Sequence, residues 1–544
     1  MGTTLLRGGK IVDGTGGQAR DGHVLIDGDR IKALLGAGEA LPAADSVIDV
    51  TGCVVAPGFI DAHSHMDWSL PLDDHPYLLK CFLEQGVTTV VAGNCGFSPA
   101  PVEAETFTLL DSGLVLPFEK PLDYSWRSMG EFLDRIQERR PVLNLAQLVG
   151  HATIRIAAST RRGAMKPDEL KNCLAKAQQS LDEGACGLSF GLGYHPGIWS
   201  PTEEIAAFSA VAAKAKKPVT VHQRTYLRLS RVYSPLSLKP HNLLALQEMI
   251  DVARSTGVSL QLSHAVLFFR GTWPTIDRYL GMIEEGRRQG VDVMMDAIPY
   301  TSLNGSVSAL LPLWFIASLP QGYKSRWARL RVNVEYNPLV FRRSGYDVKK
   351  QVRLMDAGVQ EWEHLSGLPI GEIARKWGVS TMDAALRLCE SSSGRAAILC
   401  LEAAGEPGNE KHLETILSHS VCLFGTDALI RSKGCPNPAA FGTFPKVLGY
   451  YARERKLFSV EDAIRRMTSA SADRFGLKNR GRLEPGKAAD IVVFDPQKIS
   501  ETPPVGQRPA GKPAGIHHVF LNGAHVVKDG TYVVGARAGR VLKV

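Results

Sequence analysis

The chain has 544 residues, 44% hydrophobic and 22% charged, which is too long for one small core and ordinary for a soluble globular protein. Its 63 Lys and Arg against 55 Asp and Glu leave a formal charge of +8. Spread over this length without a dense basic block, that charge points to neither nucleic acid nor membrane as a partner. The nine cysteines form no Cys-x-x-Cys pair or framework spacing, and Met1-Gly2-Thr3-Thr4-Leu5-Leu6-Arg7 shows no basic-then-apolar leader. A reducing, cytoplasmic setting is therefore the expectation, and no apolar stretch is long enough to span a bilayer.

From the N-terminus, Leu5 to Val12, His23 to Ile26 and Arg30 to Leu35 read as short strands, with Asp27-Gly28 as a hairpin turn. The far end has the same pattern of short strands punctuated by glycine. These are Asp490 to Phe494, His518 to Leu521, Ala524 to Val527 and Val541 to Val544, with Asn522-Gly523 as a turn. Neither end has enough apolar surface to stand alone, so residues 1–56 and 480–544 are expected to pair into one small β-sandwich domain. Between them, in residues 57–479, Val/Leu/Ala-rich runs alternate with amphipathic stretches. The runs include Thr88 to Ala92, Leu143 to Val149, Gly187 to Phe190, Val219 to His222, Ser259 to Ser263, Asp292 to Asp296 and Val421 to Phe424. Helices are expected over Leu78 to Gln85, Pro167 to Glu183, Glu203 to Ala215 and Leu243 to Thr256. Strand-then-helix repeated about eight times predicts an α/β fold, a parallel (β/α)8 TIM-like barrel. Residues 301–418 exceed a minimal repeat and read as an insertion before the last strand; its apolar part, Ala309 to Ile316, is either a lid or a packing helix.

Active groups in such barrels sit at the C-terminal ends of strands. After the apolar run Cys53 to Ala56, read as a buried strand, and a Pro57-Gly58 turn comes Phe59-Ile60-Asp61-Ala62-His63-Ser64-His65. On a strand, residues two apart face one side, so His63 and His65 can aim two imidazoles at one divalent metal. Cys95, His222 and His264 each end a strand-like run. Together they offer one sulfur and two nitrogens, a three-point zinc site with a fourth position open. Asp427 follows Val421-Cys422-Leu423-Phe424-Gly425-Thr426; alone it would cap a helix, but beside a metal-activated water it is a natural proton shuttle.

These pieces resemble the amidohydrolase superfamily, in the branch of the N-acyl-D-amino-acid deacylases (D-aminoacylases). The matching motifs run through nearly the whole chain: Pro57-Gly58-Phe59-Ile60-Asp61-Ala62-His63-Ser64-His65, Gly93-Asn94-Cys95-Gly96, Gly150-His151-Ala152-Thr153-Ile154-Arg155, His222-Gln223-Arg224, Ser263-His264, Pro299-Tyr300, Gly425-Thr426-Asp427 and Phe441-Gly442-Thr443-Phe444. The resemblance implies a zinc-dependent hydrolase of carbon–nitrogen bonds other than peptide bonds. In it Cys95, His222 and His264 would hold a tightly bound Zn2+, and His63 and His65, with Asp427, would line a second, weaker position. Asp427 would be the general base and then the acid toward the departing amine. Tyr300 or His151 would donate to the developing oxyanion, with a structural role as the alternative for His151. Tyr194 follows another strand end, and Arg155 and Arg224 are either substrate contacts or loop ties. The expected partner is a small-molecule amide substrate, with self-association left open.

Three departures bear on substrate. Family members that bind a free N-acyl-D-amino acid usually carry a lysine two residues after the fourth histidine, where Val266 stands, and an arginine before the Phe-Gly-Thr-Phe motif, where Pro436 to Ala440 has none. They often have an acid after His-x-Arg of the third histidine; here the run ends in Tyr226. Two cationic grips on a carboxylate are thus missing, unless Arg431 or Lys433 replaces them. The motifs also leave open a hydrolase of cyclic amides, imides or carbamates, and an inactive amidohydrolase-fold scaffold.

Overall fold

Eight short strands carry the architecture: β1 (Phe59–Asp61), β2 (Val87–Ala92), β3 (Asn144–Gly150), β4 (Gly187–Gly191), β5 (Val219–His222), β6 (Leu260–Leu262), β7 (Val293–Ala297) and β8 (Cys422–Phe424). In this computed structural model they pair in sequence order, all parallel, in one eight-stranded sheet. The amide of Ala62 donates to the carbonyl of Phe424 at 3.2 Å, drawing the first strand to the last. The structure describes residues 2–544 apart from 104–105, 108–117, 119, 159–162, 231, 235, 337–345, 407, 502–503, 506–507 and 510–511. Nearly every strand residue is buried, because side chains fill the barrel on one face and helices cover the other. That is why the runs read as continuously apolar rather than alternating. The helices span His75–Glu84, Pro167–Asp182, Thr202–Lys214 and His241–Thr256, within a few residues of their expected limits.

Both chain ends contribute to a nine-stranded sheet. Thr3–Ile11 pairs antiparallel with Arg20–Asp27 and parallel with Val54–Pro57, which in turn pairs antiparallel with Ile491–Phe494. Two expectations are corrected here. His63 and His65 are not on a strand: the barrel strand Phe59–Asp61 ends before them and they lie in the irregular segment beyond it, while the apolar run before the pair belongs to this terminal sheet, inside the expected 1–56 boundary. Val541 to Val544 is not a strand of the terminal sheet. It docks against the barrel, with Leu145 N donating to Arg540 O and Leu542 N to Leu145 O, because the sheet already ends in the short strand Thr531–Tyr532.

The insertion carries a three-stranded antiparallel sheet, Leu303–Ser306, Ala397–Cys400 and Val352–Asp356, over a core of its own that includes Phe315, Leu354, Ile370 and Ile398.

A buried polar cluster joins the barrel to the terminal sheet. Asp490 accepts from Asn144 Nδ2 at 2.9 Å and from the amide of Asn522 at 2.7 Å, and it pairs with Arg480. Asn522 Nδ2 donates to Asn144 Oδ1 at 2.8 Å. Removing one partner of a buried pair strands the other charge. Asp490→Ala is therefore expected to lower unfolding free energy by about 3 kcal/mol in denaturant titrations, while the purified variant keeps its metal content.

Candidate metal centre

The C-terminal ends of the barrel strands bring the candidate ligands to one point. Cys95 Sγ lies 3.4 Å from His264 Nε2 and 3.8 Å from His222 Nδ1, and the two nitrogens are 2.9 Å apart. On the other side of the sulfur stand His63 Nε2 at 3.5 Å and, with it, His65 and Asp427. Asp427 Oδ1 is 3.1 Å from His65 Nε2 and 3.5 Å from His63 Nε2. Atoms bound tetrahedrally to zinc at about 2.0–2.3 Å stand roughly 3.3–3.6 Å from each other. The Cys95–His264 separation matches that spacing, the His222–His264 separation is somewhat shorter and the Cys95–His222 separation somewhat longer, so small side-chain shifts would let the three hold one such ion; Cys95 also stands beside the His63, His65 and Asp427 donors. Backbone geometry achieves this convergence at a cost. Cys95, His264 and Asp427 adopt φ of 56°, 32° and 45°, the left-handed region that non-glycine residues rarely occupy. The strain turns the chain sharply at the strand end, and it persists where surrounding structure over-determines it. At Gly193, a Cβ would meet His222 Nε2 at 2.7 Å, so a side chain there would push the imidazole away.

Burial and charge act against each other in this cluster. Burial raises the Cys95 thiol, but His63 and His264 more than offset it and hold the sulfur well below the usual thiol range. Burial also raises Asp427, yet His63 and His65 bring it below an ordinary carboxylate. His65, lowered by burial and raised further by Asp427 and Cys95, reaches about 9. The cluster thus already holds the anionic sulfur and carboxylate that metal ligation needs.

Several supporting residues were not singled out by the sequence. Asp296, at the end of β7, has Oδ1 3.1 Å from His63 Nδ1, which orients that ring, and accepts the amide of His264 at 2.7 Å, which fixes the backbone that carries the other. Asp61 is raised to about 7 by burial, against hydrogen bonds from Thr426 and the His63 amide, and it ties β1 to the Asp427 loop through Thr426 Oγ1 at 2.6 Å. Tyr226 stands edge-on to His222 at 5.0 Å and donates to Ser263 O at 3.1 Å. Asn304 of the insertion donates to the carbonyl of Asp427 at 2.8 Å. A strand-end Asp resembles any helix cap in sequence, and only spatial neighbours distinguish Asp296.

The centre opens into a cavity of about 1960 Å³. Among the expected substrate contacts, Tyr194 and Arg224 line it. Tyr194 donates to Cys95 O at 2.6 Å and packs its ring against His222. Arg224 is a loop tie: Glu248 accepts from it at 2.8 and 2.9 Å, and it donates to the Ile198 and Ser200 carbonyls. For His151 and Arg155 the geometry agrees with the structural alternative: both are buried outside the cavity wall and both hold Glu204, at 2.9 Å for His151 Nε2. Tyr300 is buried away from the wall and donates to Glu501, with Lys446 over its ring. Arg431 donates to Arg395 O and lies near Asp356, while Lys433 is exposed and paired with Glu363; neither lines the cavity.

The model of the amidohydrolase family matches residues 46–293 and 411–534. The chain belongs to the amidohydrolase family. It is 32% identical to N-acyl-D-glutamate deacylase and 31% identical to D-aminoacylase, both of Alcaligenes xylosoxydans xylosoxydans; each alignment covers 99% of this chain, and 96% and 97% of those proteins. The structure of N-acyl-D-glutamate deacylase from Bordetella bronchiseptica, complexed with zinc and a phosphonate that mimics the tetrahedral intermediate, superimposes with a TM-score of 0.80 at 29% identity, covering 99% of both chains. This amidohydrolase is thus a hydrolase of carbon–nitrogen bonds other than peptide bonds. Its Val266 is buried in the core of the insertion, which leaves no cation at that position.

Two outcomes test this amidohydrolase's site. Cys95→Ala and His264→Ala, each removing one of three donors, are expected to lower bound zinc by at least about tenfold by elemental analysis, whereas Tyr300→Phe leaves it unchanged. Glu204, raised by burial but pulled down to about 2 by His151 and Arg155, contributes stability in full above the unfolded carboxyl value of about 4.3. That contribution is lost as pH falls toward 2. Glu204→Gln is therefore expected to cost about 3 kcal/mol at pH 7, with the gap to the parent narrowing below about pH 4.3.

Proposed function

We propose that the protein is a zinc-dependent amidohydrolase that cleaves the amide of an N-acyl amino acid or related amide. The observation that carries this reading is the convergence of Cys95 Sγ, His222 Nδ1 and His264 Nε2, with Asp427 beside them. Cys95, His222 and His264 would hold a zinc ion, which when bound would supply the Lewis acidity that polarises a scissile carbonyl and lets water ionise near neutral pH. His63 and His65, with Asp427, would line a second, weaker position.

Asp427 accepts the proton of the attacking water and returns it to the nitrogen, because an amide anion is too poor a leaving group. Its carboxyl, kept below the ordinary range, starts as the anion this role needs. Asn304 holds its backbone carbonyl and the His63 carbonyl accepts its amide at 2.9 Å, so the carboxylate is fixed between the metal donors and the cavity. Tyr194, its hydroxyl engaged by Cys95 O, shields the sulfur and walls the cavity. The cation grips of relatives are replaced by Val266 and by the run 436–440, and neither Arg431 nor Lys433 reaches the cavity. A carboxylate on the substrate is therefore not gripped in the usual place, and the cavity of about 1960 Å³ favours a substrate larger and more apolar than an acetylated amino acid.

Asp427→Asn is expected to lower kcat/KM about 10³-fold with zinc content retained. A parent-like rate would remove Asp427 from the mechanism. Across acetyl-D-leucine, acetyl-D-glutamate and bulkier amides, efficiency is expected to be lowest on the two acetyl compounds; high efficiency on them would reject the substrate assignment.

A further inference from the structure

The cavity is larger than the roughly 300–1,000 Å³ of ordinary small-molecule sites, at about 1960 Å³, and its wall divides by chemistry. The barrel side supplies the metal donors and all the other charged groups of the described lining, Arg224 with Glu248 and the exposed Arg228, Lys239 and Arg278, alongside apolar Leu229, Leu238 and Phe268. Among the described residues the insertion side supplies Leu303, Leu311, Leu313, Trp314, Ile316 and Ile398, and no charged side chain.

The polar atoms on that side are turned to the protein. Asn304 serves Asp427 O, Leu429 N and Asn437; Ser308 Oγ donates to Ser306 Oγ at 2.9 Å; Tyr346 donates to Leu401 O at 2.8 Å. Trp314 is held by Glu335, which accepts from Nε1 at 2.8 Å, with the Arg331 guanidinium over the ring. Leu313, Trp314 and Ile316 are only half-buried, so part of their apolar surface remains for a ligand to cover. A limb of this kind favours hydrocarbon over water and excludes an unpaired charge.

Resting on the hydrolase reading above, we propose that this limb binds the acyl chain of a fatty-acyl amide, so that the enzyme releases a long-chain fatty acid. Charge sets the direction. The amine half of an N-acyl amino acid carries a carboxylate, which the apolar limb excludes by desolvation and the opposite side, with Arg228, Lys239 and Arg278, attracts.

The test is kcat/KM of the zinc-loaded enzyme on acetyl, butanoyl, octanoyl and dodecanoyl forms of one D-amino acid, together with calorimetric binding of acetate and dodecanoate. Efficiency is expected to rise by about threefold per methylene before levelling, and dodecanoate to bind at least about 100-fold more tightly than acetate. In Leu313→Asp the dodecanoyl-to-acetyl ratio and the dodecanoate affinity are expected to fall together; in Trp327→Ser, on the exposed face of a nearby helix, both stay as in the parent. A flat chain-length series on an active enzyme overturns the proposal, and so does dodecanoate binding no tighter than acetate. If no amide of any length is hydrolysed while dodecanoate binds tightly and Leu313→Asp abolishes it, the limb stands and the hydrolase reading falls.

Discussion

One constraint organises this molecule: a cysteine sulfur and two imidazole nitrogens, on two buried residues and the partly buried His222, must be kept within 2.9–3.8 Å of each other. Without a cation such a group of lone pairs is unfavourable, since buried polar atoms need partners. The surrounding protein therefore has to impose the arrangement. It does so with three strained strand ends, at Cys95, His264 and Asp427, and with Asp296, which holds His63 and the amide of His264 at once. A metal entering this arrangement would find its donors already placed by the backbone that carries them and, at His222, by the packing of the Tyr194 and Tyr226 rings.

The rest of the fold supports that mouth in different ways. The barrel supplies eight strand ends within a small circle. The terminal sheet closes its other end through Asp490, Arg480, Asn144 and Asn522. The insertion acts on the site directly: Asn304 grips the Asp427 loop, and Leu313 to Ile316 form one wall of the cavity. Within Ala309 to Ile316 the packing reading holds for Leu310, Leu311 and Phe315, which belong to the insertion's core, while Leu313, Trp314 and Ile316 line the cavity together with Leu310 and Leu311.

The barrel, the pairing of the chain ends and the convergence of the candidate metal donors were legible in the sequence, because each leaves a local mark. Strands buried on both faces give unbroken apolar runs, and side chains at strand ends follow those runs directly. What the sequence left open has a shared cause as well. His151, Arg155 and Tyr300 sit in motifs beside the candidate ligands, but their side chains point to Glu204 and Glu501, the latter 201 residues from Tyr300. Asp61 and Asp296 carry no pattern that separates them from ordinary strand-end acids. His63 and His65 do meet at the centre, but they reach it from a bend and not from the alternation of a strand.

By itself the order of residues determined which chemistry is available: one sulfur, two later imidazoles and a carboxylate, each placed after an apolar run that can only be a buried strand. That follows from periodicity and burial, which are local. The tertiary structure alone decided which polar side chains hydrogen-bond each other and which face open space, because that depends on neighbours hundreds of residues away. It also decided the shape of the cavity and which of its sides carries charge, a property of the gap between two separately packed cores that no single segment encodes.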